Sequence, residues 1–420
     1  MPPSRLVTKT VVAGSIGNML EWYDFALYGY FAPVFAALFF PSESQLVSLL
    51  SAFSVFAVGF LARPIGALIF GYWGDTIGRR TTLAWSVILM AVPTCGVGLL
   101  PTFETIGIAA PLALICFRFL QGLSVGGEFT GSVTFLVEHA PSSRRGYTGS
   151  WAGFSAQAGA LLGSGVSTVI TLSVSEEALH QWAWRLPFVL GSAIGIVGWY
   201  LRRRIPESPA FERASQAGEL SSSPIHDVFT SHWPALARLI GLVWLHGVAF
   251  YLLYVYLTTY LVMVTSVPRG TVLTINSICM ALLAVLIPVM GALSDRVGQR
   301  PMLILGAAGL SLASYPVFSL LTGGNPPVML AAQMMATVLV ACYMGPFFAA
   351  VAELFPTAYR YTGLSVGYNI SSALFGGTAP LIATLLIEWR GNILAPSFYL
   401  SLSALIALGV AWTLRKGNYS

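Results

Sequence analysis

This chain of 420 residues is 56% hydrophobic, only 9% charged, and has a mean hydropathy of +0.77. Soluble domains carry about 25% charged residues, so the composition excludes an ordinary soluble domain and indicates an integral protein of the lipid bilayer. The net charge of +5 is therefore no evidence for a nucleic-acid partner, and we expect none. We attribute the charge to basic loops on the cytoplasmic side.

Twelve apolar segments along the chain are long enough to span a bilayer, which takes about 20 residues in a helix. The first follows the basic start MPPSRLVTKT and is too long for a signal peptide, so we expect it to be retained. The segments cover roughly residues 11–40, 45–73, 81–100, 108–138, 146–173, 184–202, 236–264, 271–293, 301–321, 328–351, 361–387 and 395–414.

The longest polar interruption falls between the sixth and seventh segments. The pattern predicts an all-α membrane protein with 12 transmembrane helices in two six-helix halves. Its predicted parts are an N-terminal six-helix bundle at residues 1–201, a cytoplasmic central loop at 202–235 and a C-terminal six-helix bundle at 236–420.

The orientation of the chain follows from its 21 lysines and arginines. Cytoplasmic loops carry an excess of these residues, and placing the N-terminus inside puts most of them there. We therefore expect both termini in the cytoplasm. The inner set is Arg5, Lys9, Arg79, Arg80, Arg144, Arg145, Arg202, Arg203, Arg204, Arg213, Arg238, Arg296, Arg300, Arg360, Arg415 and Lys416.

The two halves repeat two loop motifs. The loop after the second segment reads GYWGDTIGRR from Gly71, and the loop after the eighth reads GALSDRVGQR from Gly291, so both fit G-x-x-x-D-x-x-G-x-R. The loops after the fourth and tenth segments read EHAPSSRRGYTG from Glu138 and ELFPTAYRYTG from Glu353. Internal repeats with a binding site between them are typical of secondary transporters.

These loops resemble the signature of the major facilitator superfamily, and RFLQGLSVGG from Arg118 resembles its R-x-x-x-G motif on the fourth helix. The stretches GNMLEWYDFALYG, LARPIG, QGLSVGGEFTG, RRGYTGSW, WAWRLPF and PESPAFE together resemble the metabolite:proton symporter family. That family includes permeases for proline and betaine, citrate, α-ketoglutarate, dicarboxylates and shikimate.

The resemblance implies the major facilitator fold and a proton-coupled importer of a small carboxylate-bearing metabolite, working by alternating access. We expect a monomer in the bacterial inner membrane, driven by a proton gradient and without a cofactor or metal. The proline/betaine permease ends in a long coiled coil, whereas this sequence stops at RKGNYS. We therefore do not expect osmosensing of that kind.

The N-terminal half places Glu21, Asp24, Arg63, Arg118 and Glu128 inside predicted helices. Charges inside a bilayer are expensive and usually functional. In proton-coupled sugar porters of the superfamily an Asp on helix 1 pairs with the Arg of the helix 4 motif, and Asp24 and Arg118 match these positions. A proton on Asp24 would free Arg118 to bind a substrate carboxylate. The alternative is a static ion pair that only fixes helix packing.

The other two carboxylates leave alternatives open. Glu21 lies three residues before Asp24, about 60° around the helix, and is either a second proton site or a partner of Arg63. Glu128, ten residues beyond Arg118, is a candidate proton relay or another candidate partner of Arg63. The predicted proton-coupling residues are thus Asp24, Glu21, Arg118 and Glu128, with Asp24 favoured as the carrier.

Substrate contacts are predicted from polar and aromatic side chains inside the helices. An arginine-lined site favours carboxylates and an aromatic-lined site favours a quaternary ammonium group, so organic acids and zwitterions are both candidates. Packing is the alternative role for His246 and for the glycine-rich stretch around Gln157. The predicted substrate-binding residues are Arg118, Arg63, Asn18, Tyr28, Gln121, Gln157, His246, Tyr254, Asn276 and Asn369.

The repeated loops supply gating candidates, because in the superfamily such residues form ion-pair clusters that hold the inner gate. Thr76 stands where the pattern usually has Arg or Lys, which implies that one gating contact is missing in the N-terminal half. The alternative is that these charges only set the topology. The gating set is Asp75, Arg79, Arg80, Glu138, Arg145, Asp295, Arg296, Arg300, Glu353 and Arg360.

Other functions fit the sequence less well. A proton-coupled antiporter that exports drugs or metabolites is the main alternative, but drug exporters usually have a glycine-proline motif on helix 5, where this sequence reads GSGV. A receptor would need an added soluble domain, and an enzyme would need a catalytic pair. The sequence contains no Walker lysine motif and no H-E-x-x-H, so we expect neither ATP hydrolysis nor metal catalysis.

Overall fold

The computed structural model describes residues 3–414, without the side chains of residues 3–8, 45, 53, 56 and 390. Arg5, Arg415 and Lys416, which contribute to the predicted orientation, lie outside the described side chains. Backbone N–H and C=O groups find no partners in lipid, so apolar segments form helices, which satisfy these groups internally. The long helices are α1 (Pro3–Phe39), α2 (Gln45–Thr76), α3 (Arg79–Leu99), α4 (Ala109–His139), α5 (Arg145–Ser173), α6 (Arg185–Arg203), α7 (Trp233–Val264), α8 (Arg269–Val297), α9 (Gln299–Thr322), α10 (Pro326–Ala352), α11 (Thr357–Trp389) and α12 (Ala395–Thr413).

These helices match the twelve predicted segments in order. Before α6, a short helix at Glu176–Ala183 meets α6 at a bend of 43°. Within the described chain, nine helices are long and apolar enough to cross a membrane, and this bent pair would make a tenth. The other two are more polar, because α1 carries Glu21 and Asp24 and α5 is rich in glycine and serine.

The predicted central loop contains two short helices, Pro209–Gln216 and Pro224–Thr230. The first begins with a serine cap, in which the backbone N–H of Phe211 donates to Ser208 Oγ at 3.1 Å. A serine at this position satisfies a backbone donor that the helix leaves unpaired. The central loop is therefore partly structured.

Both copies of the G-x-x-x-D-x-x-G-x-R motif make the same tight connection between helices. Gly78 joins α2 to α3 with φ = 108°, and Gly298 joins α8 to α9 with φ = 104°. A side chain makes this region of φ unfavourable, whereas glycine adopts it readily. The second glycine of the motif is thus required by the turn.

The chain divides into two compact units. Unit 1 consists of Met1–His139, Ser155–Ile225 and Thr357–Val366. Within it α2 and α4 approach so closely that their backbones touch. A Cβ added at Gly122 would collide with the carbonyl oxygen of Gly59. Small residues allow this close approach between membrane helices.

Unit 2 consists of Ala140–Phe154, His226–Pro356 and Gly367–Ser420. Its helices α7 and α11 each contain a π-helical stretch, at Tyr251–Tyr256 and Ser372–Gly376. Such stretches leave backbone groups without their usual helical partners and often occur at functional sites.

Two helix starts belong to the unit opposite to the rest of their helix. Residues 145–154 of α5 group with unit 2, and residues 357–366 of α11 group with unit 1. Both helices follow the repeated loops that begin at Glu138 and Glu353. The contacts that hold these two starts include predicted gating residues.

Candidate functional site

Asp24 on α1 is fully buried and pairs with Arg118 on α4. Arg118 Nη1 lies 2.6 Å from Asp24 Oδ2, and Gln121 Nε2 donates to Asp24 Oδ1 at 2.9 Å. Thr94 Oγ1 on α3 donates to the same oxygen at 3.0 Å. The structure thus brings Asp24, Arg118 and Gln121 together, with donors that stabilise the negative charge of the carboxylate.

Two donors of the Arg118 guanidinium are unused within residues 3–414. Nε and Nη2 are buried and have no hydrogen-bond partner among the described residues. Cζ lies 3.8 Å from the ring centroid of Tyr28, and the hydroxyl of Tyr28 donates to the carbonyl oxygen of Ala52 at 2.9 Å. Nε and Nη2 form one edge of the guanidinium, and such an edge binds a carboxylate with two parallel hydrogen bonds.

Glu21 on α1 is 1% exposed. Neither of its carboxyl oxygens has a hydrogen-bond partner in the part of the chain that the structure describes. Arg63 on α2 is near enough to act on Glu21 electrostatically, but it does not hydrogen-bond to it. The guanidinium of Arg63 lies 5.4 Å from the ring centroid of Phe60.

Glu128 on α4 pairs with Arg202 at the end of α6, so the alternative of a pair with Arg63 is wrong. Arg202 Nη2 lies 2.5 Å from Glu128 Oε1, and Nη1 lies 2.8 Å from Oε2. Ser86 Oγ also donates to this carboxylate. The sequence places Arg202 in an inner loop, where a surplus of arginine is expected for topology alone, and so it gives no sign of this buried role.

Two further residues predicted to bind substrate, Asn18 on α1 and Gln157 on α5, lie in unit 1. Asn18 Nδ2 donates to Ser155 Oγ at 2.9 Å, which joins the two helices. Gln157 is buried on α5, and its Oε1 has no hydrogen-bond partner within residues 3–414. The Oε1 of Gln157 is therefore a candidate acceptor for a ligand donor.

His246 on α7 lies in an aromatic cluster of unit 2. Its ring stacks on Phe347 with centroids 4.4 Å apart, and it meets Phe348 and Tyr368 edge to face at 5.8 Å each. These contacts favour the packing role for His246. Asn369, the residue after Tyr368, is buried on α11.

Tyr254 and Asn276 belong to a polar cluster around the π-helical stretch of α7. Asn276 Nδ2 donates to the carbonyl oxygen of Tyr254 at 3.0 Å, and Gln333 Nε2 donates to that of Leu253 at 3.0 Å. Gln333 also donates to Asn276 Oδ1 at 2.9 Å, and the Tyr254 hydroxyl donates to Thr337 at 2.9 Å. The amides thus satisfy carbonyls inside the π-helical stretch.

Asp75, in the first copy of the loop motif, holds the start of α11. The backbone N–H groups of Tyr361 and Thr362 donate to its two carboxylate oxygens at 3.1 and 2.8 Å. Arg79 Nη1 lies 3.1 Å from Asp75 Oδ1. A carboxylate at a helix N-terminus satisfies free N–H groups and favours the helix dipole.

Asp295, in the second copy, holds the start of α5 in the same way. The backbone N–H groups of Gly146 and Tyr147 donate to its two oxygens at 2.7 and 2.8 Å. The aspartate of each motif copy therefore caps a helix that follows one of the repeated loops. The sequence repeat is also a repeat of hydrogen bonding.

Arg79 and Glu138 form the centre of a buried cluster in unit 1. Arg79 Nε lies 3.1 Å from Glu138 Oε2, and Arg360 Nη1 lies 2.8 Å from Glu138 Oε1. Ser208 of the central loop donates to Glu138, and the ring centroid of Phe211 lies 4.7 Å from Arg79 Cζ. The role of Ser208 and Phe211 was not predicted, although both belong to the PESPAFE stretch.

The same stretch reaches the start of α3. The backbone N–H of Arg80 donates to both carboxylate oxygens of Glu207, at 3.0 and 3.1 Å. Thr76, where the loop pattern usually has a basic residue, instead donates to the carbonyl oxygen of Tyr72 in its own helix. Arg80 thus contributes mainly through its backbone.

The remaining gating candidates lie nearer the surface of unit 2. Arg145 Nη1 lies 3.0 Å from Glu353 Oε1, with the side chains 40% and 29% exposed. Arg300 Nη2 donates to the carbonyl oxygen of Trp412 at 2.8 Å, and Arg296 is exposed. Ion pairs this exposed contribute about 0–1 kcal/mol.

Comparison with known proteins gives one family across the chain. The model of the Major Facilitator Superfamily matches residues 14–366 and 266–418. The proline/betaine transporter of Salmonella typhimurium is 38% identical over 412 residues, which cover 95% of this chain and 82% of that protein. The glycine betaine/proline/ectoine/pipecolic acid transporter OusA of Dickeya dadantii is 37% identical, over 95% of this chain and 81% of that protein.

Solved structures show the same fold at low identity. The proton:xylose symporter XylE bound to 6-bromo-6-deoxy-D-glucose has a TM-score of 0.76 and 17% identity, over 97% of this chain and 95% of that one. The Escherichia coli fucose:proton symporter FucP has a TM-score of 0.72 and 14% identity, over 96% and 97% of the two chains.

Proposed function

The chain belongs to the Major Facilitator Superfamily, and on that premise we propose that it is a proton-coupled symporter that imports a small zwitterion with a carboxylate, such as proline or betaine. The superfamily and the names of the relatives make it an integral membrane transporter and not an enzyme. The direction of transport, the proton coupling and the substrate are the proposal.

The free edge of Arg118 is the observation that carries the proposal. Asp24 occupies Nη1, whereas Nε and Nη2 are buried and unpartnered within the described residues. A buried donor without a partner costs about 1–3 kcal/mol, and a ligand that accepts from both donors recovers this cost. A substrate carboxylate binds here in two parallel hydrogen bonds without displacing Asp24.

The charge around Arg118 favours a zwitterion over a di- or tricarboxylate. The charge of Arg118 is already balanced by Asp24, so a citrate would bring uncompensated negative charges into the bilayer, at a cost of several kcal/mol. A zwitterion brings no net charge and so avoids this cost. The relatives named as proline, betaine, ectoine and pipecolic acid transporters support this choice.

The transport cycle is proposed on the same basis. When the site changes its access from one side of the membrane to the other, Asp75 releases the start of α11 and Asp295 releases the start of α5. The protein lies in a bacterial inner membrane with both termini on the cytoplasmic side. The proton gradient drives the cycle in a monomer, without ATP or a cofactor. The two predicted halves, at residues 1–201 and 236–420, remain the proposed moving parts.

Purified protein in proteoliposomes tests the function. We expect proline or betaine to be accumulated under an inward proton gradient, and to raise the melting temperature, because a ligand that binds only the folded state stabilises it. Stabilisation by citrate, α-ketoglutarate, succinate or shikimate instead would contradict the zwitterion. Proton movement opposite to the substrate would indicate the antiporter alternative.

Arg118→Lys is the variant that addresses the site. A lysine keeps the positive charge beside Asp24 but lacks the planar edge, so we expect uptake to fall at least about tenfold while the protein remains folded. Arg185→Lys is the matched control, because Arg185 donates only to the carbonyl oxygens of Gly98 and Leu100 in the described chain. Unchanged uptake in Arg118→Lys would contradict the proposed site.

A further inference from the structure

Helix α1 carries two buried carboxyl groups three residues apart, and the structure treats them differently. Asp24 accepts hydrogen bonds from Arg118, Gln121 and Thr94. Glu21 is equally buried, yet both of its oxygens are without a hydrogen-bond donor in the described chain. One site is built to hold a charge, and the other is not.

The cost of burial decides the protonation of Glu21. A buried carboxylate without donors or a paired cation costs several kcal/mol, whereas the protonated group carries no charge to desolvate. In this conformation Glu21 is therefore the neutral acid. Asp24, by contrast, has a guanidinium and two neutral donors around it.

The charged groups around Glu21 come from three neighbouring helices. Arg63 on α2 attracts a charge on Glu21, and Glu128 on α4 opposes it. Glu128 is already paired with Arg202 of α6. Beyond their first turns, α3 and α5 contain no charged side chain.

We infer that Glu21 takes up and releases the coupled proton, while Asp24 keeps its charge on Arg118. This inference rests on the proposed symport function. The step is an acid dissociation, in which the carboxyl O–H bond of Glu21 breaks and the proton leaves to cytoplasmic water. Arg63 then compensates the carboxylate until a proton from outside restores the acid. The substrate carboxylate uses the free edge of Arg118, so Asp24 does not need to be protonated for binding.

Two transport modes separate this role from substrate binding. Exchange of labelled proline across the membrane at equal concentrations needs no net proton movement, whereas accumulation under a proton gradient does. Glu21→Gln preserves the shape of the protonated acid but cannot ionise. We expect its exchange rate to stay within about threefold of the wild type, while accumulation and proline-induced proton uptake fall to background.

Asp24→Asn is the matched comparison. It removes the charge that orients Arg118, so we expect it to lose exchange as well as accumulation. If Asp24→Asn keeps exchange and loses coupling while Glu21→Gln stays coupled, the inference is overturned. Proton movement with proline is also measured in the wild type. If the wild type moves no protons with proline, the symport proposal itself is overturned, whatever the variants do.

Glu21→Asp keeps the inference testable if Glu21→Gln does not fold. Its shorter carboxyl has the same chemistry in a different position, so coupling should survive with a shifted pH profile of accumulation. An unchanged pH profile in Glu21→Asp would mean that this carboxyl does not cycle, and the inference would be wrong.

Discussion

Arg202 and Glu128 form a buried ion pair that ties the end of α6 to the middle of α4, with Nη2 2.5 Å from Oε1. Arg202 Nε donates to the carbonyl oxygen of Ala13 at 2.9 Å, and Nη1 donates to that of Leu83 at 2.6 Å. One side chain therefore connects α1, α3, α4 and α6. Its many hydrogen bonds are what make burial of the pair tolerable.

Removal of Arg202 is expected to destabilise the protein strongly. Arg202→Gln leaves the charge of Glu128 uncompensated, at a cost of about 3–5 kcal/mol, and should lower the melting temperature in detergent. The neighbouring exposed Arg203→Gln is the control and should change little. The double variant Glu128→Gln with Arg202→Gln should regain part of the loss. A double variant as unstable as the sum of its parts would argue against a direct pair.

Substitutions around Asp24 should lower the stability of the protein by different amounts. Asp24→Asn removes the partner of the buried Arg118 cation and should cost about 3–5 kcal/mol. Thr94→Ala removes one neutral hydrogen bond to the same carboxylate, which in membrane proteins averages about 0.6 kcal/mol. Thermal unfolding of the two variants should therefore differ clearly, and equal shifts would show that Asp24 and Arg118 are not charged partners.

The two motif aspartates should have matching effects. Asp75→Asn weakens the cap on α11, and Asp295→Asn weakens the cap on α5, each by about 0.5–2 kcal/mol. A cysteine at Leu364, which is buried at the start of α11, should react faster with a water-soluble thiol reagent in the Asp75→Asn background. The exposed ion pair between Arg145 and Glu353 supplies the control. Because such a pair contributes little, Glu353→Gln should leave the reaction rate of this cysteine unchanged. A rate equal in all three proteins would contradict the cap.

Glycine spacing between α2 and α4 gives a steric prediction. Gly122→Ala would drive a methyl group into the carbonyl oxygen of Gly59, so the two helices must separate and stability should fall by about 1–3 kcal/mol. A Cβ at Gly165 on α5 meets open space among the described atoms. Gly165→Ala should therefore be neutral or slightly stabilising, since alanine favours a helix by about 1 kcal/mol. Thermal unfolding of both variants checks the contrast.

The π-helical stretch of α7 depends on side-chain amides. Gln333→Leu leaves the carbonyl oxygen of Leu253 without its donor, at a cost of about 0.6–1.7 kcal/mol in a membrane protein. Gln181→Leu is the matched control, because Gln181 is exposed and donates only to Glu177 among the described residues. The backbone amides of α7 should exchange hydrogen faster in Gln333→Leu but not in Gln181→Leu. Equal exchange rates in the two variants would show that the Gln333 amide does not stabilise this stretch.

Several features were predictable because they follow from local chemistry. Apolar segments of about 20 residues form spanning helices in lipid whatever their neighbours, so twelve helices could be placed from the sequence. The sequence predicts a pair between Asp24 and Arg118, because a lone buried charge demands a partner and the family resemblance supplies the two positions. The repeated loop motif likewise predicted that Asp75 and Asp295 have equivalent roles.

Other features depend on which side chains meet across the fold. The sequence offered Arg63 as the partner of Glu128, but the structure pairs Glu128 with Arg202. An arginine at a helix end can turn inward or outward, and the sequence does not show which. Ser208 and Phe211 reach the buried Arg79 and Glu138 only because the central loop folds into a short helix. Spacing along one chain segment carries no information about such contacts.

The sequence by itself determined the membrane location, the helical fold, the repeat and the residues able to carry charge, because hydropathy and motif spacing are local properties. Only the tertiary structure decided which of those charges are satisfied. It gave Asp24 its donors and, among the residues that the structure describes, left the Nε and Nη2 edge of Arg118 and the carboxyl oxygens of Glu21 without a hydrogen-bond partner. The energy of a buried charge depends on atoms a few ångströms away in space, and these atoms come from other helices.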